Sequence, residues 1–438
     1  MASSQREYTV SRPNILFLFT DQQAAGALSC TGNPHLSTPH MDRLAAGGMR
    51  FAQAYCAAPV CGPSRSSLAS GCMPSETGVL VNGMSPDESL ANMGQVFGRA
   101  GYQTAWSGRW HLPDNPGRGG VMRGFEALHD PAVRLGLGSA GDGPVTEAAV
   151  QFLQRRHDRP FLLGVSLCNP HDICHWIMDP PAPPATAEGL PPLPANFAVD
   201  PDEPEFIQQC RRRTYYGQEG TRTRDWDEIQ WRAYLAAYYR YTEEVDRHIG
   251  RLLDTLRQCG LEENTLVVFT SDHGEGLAAH RWVVKLMLYE EPMRVPFMVR
   301  WPGVVAAGAV DQQRLVSGID VLPTLCDYAG VECPPVTGQS LKPLIEDPAA
   351  VGRALLVAQL CPDTEDLDMQ GRMLRTQRYK YIVFSRGRNP ELFFDLQADP
   401  GETRNRVRDL ALAGEVQRHR ALLDNWCVQH GDSFRRPV

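Results

Sequence analysis

One short stretch of the sequence combines a thiol, a proline and an arginine, Cys61-Gly-Pro-Ser-Arg65. Pro63 is suited to the first turn of a helix beginning there, so we expect a helix N-terminus to face Cys61. Such an end offers free N–H groups and a positive dipole, and Arg65 adds a guanidinium. Together these groups favour a tetrahedral oxyanion beside Cys61. The alternative is a buried thiol before an ordinary helix, since free cysteine is often simply buried.

Two aspartates stand where a metal ion could be held. Asp21 follows an apolar run at residues 14–20, and Asp272 follows another close behind residues 266–270. A hard cation takes oxygen ligands, so these two carboxylates are the natural candidates for a divalent cation site. Each aspartate, taken alone, could instead cap a helix that follows it.

The chemically rich clusters share one position, because each follows a predicted strand. Four runs of apolar, β-branched or aromatic residues lie at 14–20, 104–107, 161–167 and 266–270. The polar clusters behind them are Asp21, residues 108–111, residues 169–172 and residues 271–275. Helical patterns separate the runs, which indicates βαβ units and a parallel sheet. In such a sheet the ligand crevice lies beyond the carboxyl ends of the strands, so we expect these clusters to meet.

The rest of the chain is interpreted as scaffold. We expect a long helix at residues 226–259, and irregular surface segments at residues 112–144 and 180–204, which are rich in glycine and proline respectively. Near the C-terminus the predicted elements, three strands and a helix, are residues 373–376, 379–384, 391–395 and 411–428. Short sequential strands favour antiparallel pairing. We therefore expect a catalytic α/β domain over residues 1–345 and a C-terminal subdomain over residues 346–438.

Composition places the chain among ordinary globular proteins. It has 438 residues, of which 42% are hydrophobic and 21% are charged, so one large domain and a smaller one are expected. The net charge of −8 disfavours nucleic acid and anionic membranes as partners. The longest early apolar run, residues 15–19, is too short for a signal peptide or a membrane span. We therefore expect a cytoplasmic protein.

The twelve cysteines form no dense framework and no Cys-x-x-Cys pair, so we expect reduced thiols. Cys56, Cys61 and Cys72 lie close together in the sequence. Their spacings match no zinc knuckle, which disfavours a structural zinc site. The sequence does not specify an oligomeric state.

The stretch that begins at Cys61 resembles, over its whole length, the formylglycine signature of the type I sulfatases, a branch of the alkaline phosphatase superfamily. The matching positions are Cys61, Pro63, Ser64, Arg65, Leu68, Ser70 and Gly71. Further similar stretches lie at residues 38–45, 47–51, 320–324 and 395–402, so the resemblance covers most of the chain. It implies an alkaline-phosphatase-like α/β fold, with a mixed, mostly parallel sheet flanked by helices and a smaller C-terminal α+β subdomain.

The resemblance implies a nucleophile and a cation. The oxygen-dependent formylglycine-generating enzyme would oxidise Cys61 to formylglycine, whose hydrate would attack sulfur and form a sulfated covalent intermediate. The implied cation is Ca²⁺, with Mg²⁺ as the alternative, and its ligands besides residue 61 are Asp21, Gln22, Asp272 and His273. Gln22 stands where a second aspartate is commonest, and His273 stands where other branches have asparagine.

The resemblance also implies which side chains act on the substrate. The catalytic set is Cys61, Arg65, Arg109, His111, His171 and Lys285, and the substrate-binding set is His175, His280 and Arg294. In the family pattern His111 takes a proton from the second diol hydroxyl, whereas His171 and Lys285 approach the departing ester oxygen. Arg109 replaces the usual lysine of a Gly-Lys-x-His stretch, and it keeps the positive charge in a planar, forked form.

The implied function is hydrolysis of a sulfate monoester, on a sulfated carbohydrate or a small organic sulfate. One alternative is a phosphonate monoester or phosphodiester hydrolase, because the same protein groups can bind tetrahedral oxyanions of sulfur and of phosphorus. A second alternative is an inactive homologue that only binds, although all the predicted ligands are present. The sulfated alcohol and the choice between exo and endo action stay open, since loops such as residues 180–204 would set specificity.

Overall fold

The computed structural model describes residues 12–113, 123–128, 138–212 and 223–437. Among these residues the helices are α1 (Pro39–Ala46), α2 (Cys61–Ser70), α3 (Pro74–Thr77), α4 (Met93–Arg99), α5 (Gly138–Leu153), α6 (Ile173–Met178), α7 (Glu205–Arg212), α8 (Glu228–Gln258), α9 (Glu290–Met293), α10 (Val321–Ala329), α11 (Lys342–Glu346) and α12 (Ala413–Gln429). The strands are β1 (Asn14–Asp21), β2 (Met49–Phe51), β3 (Ala54–Tyr55), β4 (Gln103–Gly108), β5 (Glu126–Ala127), β6 (Phe161–Pro170), β7 (Thr265–Ser271), β8 (Phe297–Arg300), β9 (Ala309–Asp311), β10 (Val316–Ser317), β11 (Leu356–Leu360), β12 (Gly371–Arg375), β13 (Tyr379–Phe384) and β14 (Glu391–Asp395).

An eight-stranded sheet forms the centre of the molecule, in the order β5-β4-β6-β1-β7-β8-β2-β9. The strands from β5 to β7 in that order run parallel to one another. Strand β8 is antiparallel to both of its neighbours, β7 and β2, whereas β9 is parallel to β2. The sheet is therefore mixed and mostly parallel, which confirms the predicted fold class.

Alternating side chains of β1 explain why helices cover both faces of the sheet. Ile15, Phe17 and Phe19 lie in one apolar cluster together with side chains of α2, α4 and α10. Leu16 and Leu18 lie in a second cluster, with side chains of α5 and α8. All residues of β1 are buried. A strand that is covered on both faces has a continuous apolar sequence, and this is the pattern of β1.

Four parallel strands bring the chemical clusters to one edge of the sheet. Strands β4, β6, β1 and β7 are adjacent in that order, so their carboxyl ends lie side by side. Those ends are Gly108, Pro170, Asp21 and Ser271. All four predicted strands are confirmed, and the expected convergence of the clusters follows from this topology.

The segment 112–144 was expected to be irregular, but its last residues, 138–144, are helical. Most of the rest of this segment lies outside the described residues. Helix α5 begins at Gly138 and contains Pro144. Glycine and proline disfavour a helix locally. However, the apolar face of α5 packs on the sheet, and the Asp172 carboxylate accepts hydrogen bonds from the Gly138 and Ser139 N–H groups. Packing and capping therefore outweigh the local preference.

The other scaffold predictions are confirmed. Helix α8 occupies the predicted region and begins after Asp227, whose side chain accepts a hydrogen bond from the Gln230 N–H group. Residues 180–204 contain neither helix nor strand. Within the described ranges, no helix is both long enough and apolar enough to cross a membrane.

A second sheet, antiparallel and in the order β11-β12-β13-β14, forms the C-terminal part of the chain. Helix α12 packs on it through Val416 and Leu423, which lie in one cluster with Leu374, Tyr381 and Phe393. The predicted α+β subdomain is therefore confirmed. Strand β11 was not predicted, because a short apolar run has no period that separates strand from helix. The boundary between residues 345 and 346 stays a prediction.

Lys380 connects this second sheet to the rest of the protein. Its buried Nζ lies 3.1 Å from Glu290 Oε1 and 2.8 Å from Glu402 Oε1. Burial, together with Glu290 and Glu291, raises the pKa of Glu402 to about 8, although Lys380 opposes this shift. Burial and nearby cations lower the pKa of the adjacent His280 to about 4. The junction therefore holds a proton on Glu402 and none on His280 at neutral pH.

We expect the protein to lose stability as the pH rises from about 6.5 to 8.5. The unfolded chain has already released the Glu402 proton in this range, whereas the folded chain keeps it until the pH passes the raised pKa. His280 sets the lower limit, because its lowered pKa gives the opposite slope below about 6.5. The loss should be on the order of 2 kcal/mol in the free energy of unfolding, measured with urea at both pH values.

The substitution Glu402→Gln should flatten this pH dependence, because a glutamine side chain does not titrate. Glu263→Gln, at an exposed carboxylate, is the matched control and should keep the slope of the wild type. Equal slopes for all three proteins would show that Glu402 is not the group responsible.

Candidate active site

Arg65 is buried between two carboxylates at the edge of the central sheet. Its Nη2 donates to Asp21 Oδ2 and its Nε donates to Asp272 Oδ2, both at 2.8 Å. Its Nη1 donates to the Arg109 carbonyl oxygen at 2.7 Å and to Ser166 Oγ at 3.0 Å. The Arg65 side chain is 2% exposed and the two carboxylates are fully buried. Because buried charges must be paired, this guanidinium fixes where both carboxylates lie.

Cys61 lies beside the same carboxylates, in the first turn of α2. The helix begins at Cys61, two residues before the predicted start at Pro63, because Val60 is the last residue with an extended backbone. The Cys61 Sγ atom is 3.7 Å from Asp21 Oδ1 and 3.2 Å from His273 Nε2. The expected helix N-terminus is therefore present, and Cys61 is part of it.

The charges around Cys61 act in opposite directions on its thiol. Burial and the Asp21 carboxylate raise the pKa, but Lys285, His273 and a hydrogen bond with His111 bring the pKa well below its usual value. Burial likewise acts to raise the pKa of Asp21, yet nearby cationic groups including Lys285 hold it well below its usual value. The site therefore stabilises negative charge on both side chains.

Four possible metal ligands converge at this edge. Asp21, Cys61, Asp272 and His273 each offer a ligand atom, and these atoms lie within 4.8 Å of one another. The His273 Nδ1–H group donates to the Gly274 carbonyl oxygen at 2.9 Å, so Nε2 is the ring atom that faces the carboxylates and Cys61. Two carboxylates and an imidazole whose Nε2 can release its proton to a metal are a donor set that fits a divalent cation.

A chain of hydrogen bonds orients Gln22 in the same cluster. Its backbone N–H group donates to Asp272 Oδ1 at 3.0 Å, and its side-chain oxygen accepts from the Lys285 ammonium at 2.7 Å. Its side-chain nitrogen donates to Glu275, which also accepts from the Tyr234 hydroxyl. The amide is thereby held with its oxygen towards Lys285. Sequence reasoning gave no role to Glu275, and Tyr234 lies in α8, which was interpreted as scaffold.

The turn after β4 carries Arg109 and His111 to the cluster. Gly108 has a φ of 100°, and a Cβ atom there would lie 2.0 Å from the Ser166 carbonyl oxygen, so the turn requires glycine. Arg109 Nη1 lies 3.7 Å from Asp21 Oδ2, and Arg109 Nη2 lies 2.9 Å from His111 Nε2. The structure therefore brings both predicted side chains together.

His171 and His175 lie just beyond the end of β6. The His171 ring is buried, and burial, followed by the positive charges of Lys285 and Arg109, lowers its pKa to about 3, although Asp21 opposes this. The ring is therefore neutral at physiological pH. His175 is exposed, and its ring centroid lies 6.1 Å from that of His171.

Two aspartates hold the segment before His171 in place. Asp142, in α5, accepts hydrogen bonds from the backbone N–H groups of Cys168 at 2.6 Å and Asn169 at 2.9 Å. In return, Asp172 accepts from the first two N–H groups of α5. This reciprocal pair fixes the approach of His171. Sequence reasoning missed Asp142 because it falls in a segment that was expected to be irregular.

His280 and Arg294 lie apart from the metal-ligand cluster, so the substrate contacts predicted for them stay a prediction. The His280 ring stacks on Tyr289 at 4.1 Å, at the junction with the C-terminal sheet. Arg294 donates to the Ala52 carbonyl oxygen at 2.7 Å and lies 3.7 Å from Glu290. In the described part of the chain, no hydrogen bond or ion pair joins either side chain to the metal-ligand cluster. Both side chains are engaged elsewhere, His280 with Tyr289 and Arg294 with Ala52 and Glu290.

Family models match nearly the whole chain. The model described as Sulfatase matches residues 13–331, and the model described as N-sulphoglucosamine sulphohydrolase, C-terminal, matches residues 278–425. The two matches overlap and continue into the C-terminal sheet, so the resemblance is not confined to the cluster around Cys61.

Individual proteins show the same similarity. Delta 4,5-hexuronate-2-O-sulfatase of Bacteroides thetaiotaomicron is 31% identical, over 97% of this chain and 90% of the relative. A protein solved in complex with its substrate D-glucosamine-2-N,6-O-disulfate has a TM-score of 0.80 at 25% identity, covering 97% of this chain and 99% of that one. The phosphonate monoester hydrolase of Agrobacterium radiobacter shares the fold, with a TM-score of 0.81 at 23% identity and 96% of both chains covered.

We expect Arg65→Gln to lower the free energy of unfolding by about 3–5 kcal/mol when divalent cations are removed with a chelator. The loss follows because Asp21 and Asp272 would stay buried without a compensating charge. Urea unfolding measures the effect. Arg155→Gln is the matched control, because Arg155 pairs with Glu126 on the surface and such pairs contribute about 1 kcal/mol or less. Similar losses in the two variants would contradict the assigned role of Arg65.

Proposed function

This chain belongs to the sulfatase family and is a sulfuric ester hydrolase, and we propose that it hydrolyses the sulfate monoester of a saccharide with a nucleophile made from Cys61. The observation that carries the proposal is the position of Cys61 at a helix N-terminus, 3.2 Å from His273 and beside two buried carboxylates. The hexuronate and glucosamine substrates in the names of its relatives support a saccharide as the alcohol.

We propose that Cys61 is the precursor of formylglycine. The hydrate of this aldehyde supplies a hydroxyl that attacks sulfur and a second hydroxyl through whose deprotonation sulfate is expelled. Because Cys61 has no exposed surface in the folded protein, the formylglycine-generating enzyme would have to act before the chain folds. Lys285, His273 and His111 also lie around Cys61 and lower the pKa of its thiol, which suits a group that gains negative charge as it reacts.

The proposed cation is Ca²⁺, with Mg²⁺ as the alternative. Asp21, Gln22, Asp272 and His273 would hold it together with residue 61, and it would polarise the sulfate oxygens. The amide oxygen of Gln22 is neutral, so it adds a hard donor atom without adding charge. The same oxygen accepts a hydrogen bond from Lys285, and Glu275 fixes which end of the amide carries the oxygen.

The charged side chains divide into two roles. The Arg65 guanidinium donates its hydrogen bonds to Asp21, Asp272 and the protein backbone, so we assign it the positioning of the carboxylates. Arg109 and Lys285 are the cations assigned to the sulfate oxygens, because both adjoin the cluster. Neutralising the transferred group is the main contribution that such cations make.

Two histidines are assigned the proton transfers. His111, which lies 2.9 Å from Arg109, takes the proton from the second hydroxyl of the hydrate. His171 faces the departing ester oxygen as a neutral imidazole and donates a hydrogen bond to it, while the ammonium of Lys285 is the proton donor. The two rings follow β4 and β6, neighbouring strands on one side of β1 and its Asp21.

We expect Cys61→Ala to abolish sulfate release and to leave the protein folded, because the substitution removes the precursor of the nucleophile. Cys72→Ala is the matched control, since Cys72 is a buried thiol just beyond the other end of α2. Sulfate release from an aryl sulfate, with thermal unfolding as the test of folding, measures the effect. Activity in Cys61→Ala equal to that of the control would contradict the proposed nucleophile.

The second candidate function is a phosphonate monoester hydrolase, which the shared fold favours. A comparison of two substrates distinguishes it from a sulfatase. An aryl phosphonate monoester and an aryl sulfate with the same leaving group are compared by kcat/KM. We expect the sulfate to react faster. Turnover of the phosphonate that is faster by orders of magnitude would replace the sulfatase assignment.

A further inference from the structure

We propose that the substrate carries a second anionic group, a carboxylate or a further sulfate, which arginines bind in a cleft beside Lys285. This inference rests on the proposed function, because it concerns the saccharide that bears the reacting sulfate. The cleft has a volume of 630 Å³, a size typical of pockets for small ligands. Its walls come from α7, from residues 281–286 and from residues 362–365.

The walls of the cleft are positively charged, although the protein as a whole is acidic. Among the described residues, five cationic side chains line it, against three carboxylates, in a chain whose net charge is −8. The cations are Arg211, Arg212, Arg224, Arg281 and Lys285, and the carboxylates are Glu203, Asp363 and Glu365. A concave surface of one sign concentrates ligands of the opposite sign. The cleft therefore favours an anionic ligand next to the proposed site of sulfate transfer.

Arg211 holds the wall together and is not available to a ligand. Its guanidinium forms a double hydrogen bond with Glu203 and donates to the His280 and Arg281 carbonyl oxygens at 2.7 and 3.1 Å. It also lies over the Trp282 ring, 5.0 Å from the ring centroid. These contacts fix the backbone of the wall at His280 and Arg281.

The other end of the same wall is fixed at Lys285. The Trp282 indole N–H group donates to the Lys285 carbonyl oxygen at 2.8 Å. Arg281 and Lys285 therefore belong to one short, braced loop, and four residues span no more than about 14 Å. We therefore place the second anion of the substrate on the sugar ring that bears the sulfate or on the next ring.

Three arginines in the cleft present their side chains to solvent. Arg212, Arg224 and Arg281 are exposed, and they come from three different segments of the chain. The Arg281 guanidinium lies over the Phe197 ring, 5.0 Å from its centroid, which restricts its orientation. A planar guanidinium binds a carboxylate or a sulfate through two parallel hydrogen bonds. We assign the second anion to these arginines, with Arg281 as the member closest in sequence to the catalytic lysine.

The carboxylates of the opposite wall suit the rest of a saccharide. Asp363 and Glu365 follow β11, and carboxylate oxygens accept hydrogen bonds from hydroxyl groups. A ligand that has hydroxyls on one side and an anionic group on the other would match both walls. A neutral sugar sulfate would leave the arginine wall without a partner.

The test compares substrates that differ only in the second anion. The first pair is an unsaturated hexuronate 2-O-sulfate and its methyl ester, and the second pair is glucosamine 2-N,6-O-disulfate and N-acetylglucosamine 6-O-sulfate. We expect the wild type to prefer the member with the second anion in at least one pair, by about ten- to hundredfold in kcat/KM. Preference in the first pair identifies a carboxylate, and preference in the second pair identifies a sulfate.

Variants locate the anion. Arg281→Gln and Arg224→Gln should each raise KM for the preferred substrate and leave kcat/KM for its partner nearly unchanged, with partial rescue by Arg281→Lys. Arg156→Gln is the matched control, because Arg156 is 92% exposed and does not line the cleft. Equal kcat/KM within both pairs, or equal loss on both members in every cleft variant, would overturn the inference. Failure to release sulfate from all four substrates, together with hydrolysis of an aryl phosphonate, would instead reject the proposed function.

Discussion

Two carboxylates, Asp21 at the end of β1 and Asp272 directly after β7, lie buried against one guanidinium at the carboxyl edge of the sheet. Either carboxylate without Arg65 would be an uncompensated charge with no access to water. The arrangement therefore ties the ends of β1 and β7 to α2, which carries Arg65. Cys61 begins the helix that carries Arg65, so its place beside Asp21 follows from the same charge pairing. The turn after β4 joins this unit as well, through the bond from Arg65 to the Arg109 carbonyl.

A second set of contacts connects the segment that follows Asp272 to the C-terminal sheet. The segment that follows Asp272 contains Lys285, which reaches Gln22, and then Glu290, which pairs with Lys380 of β13. The C-terminal sheet thus supports the segment that contains Lys285. Arg281 lies on the same segment, facing the cleft. One loop therefore links the proposed sulfate contact, the proposed second-anion contact and the subdomain behind them.

The sequence was sufficient for the parts of the site that follow strands. A parallel sheet aligns its carboxyl ends, so Asp21, His111, His171 and Asp272 could be placed at one edge from the positions of four apolar runs. Contacts made from the opposite direction left no such pattern. Tyr234 reaches Glu275 from the middle of α8, and nothing in the period of a long helix marks which buried residue has a polar partner.

Local composition misled at the start of α5, for a physical reason that the structure shows. Glycine and proline concealed the start of α5, whose stability comes from packing on the sheet and from the carboxylate of Asp172. The resemblance implied substrate contacts for His280 and Arg294, which lie at the junction with the C-terminal sheet, and that role stays a prediction. The start of α5 is not visible without the tertiary fold, because Asp172 lies far from Gly138 in the sequence.

The proposed mechanism depends on the chemical state of residue 61, because every assigned role requires a nucleophile that the thiol itself does not supply. Mass spectrometry of the peptide that contains residue 61, from protein produced in a host with a formylglycine-generating enzyme, reads that state directly. We expect the mass of an aldehyde or its hydrate at this position, in active protein. Fully active protein with an unmodified Cys61 thiol would contradict the proposed mechanism.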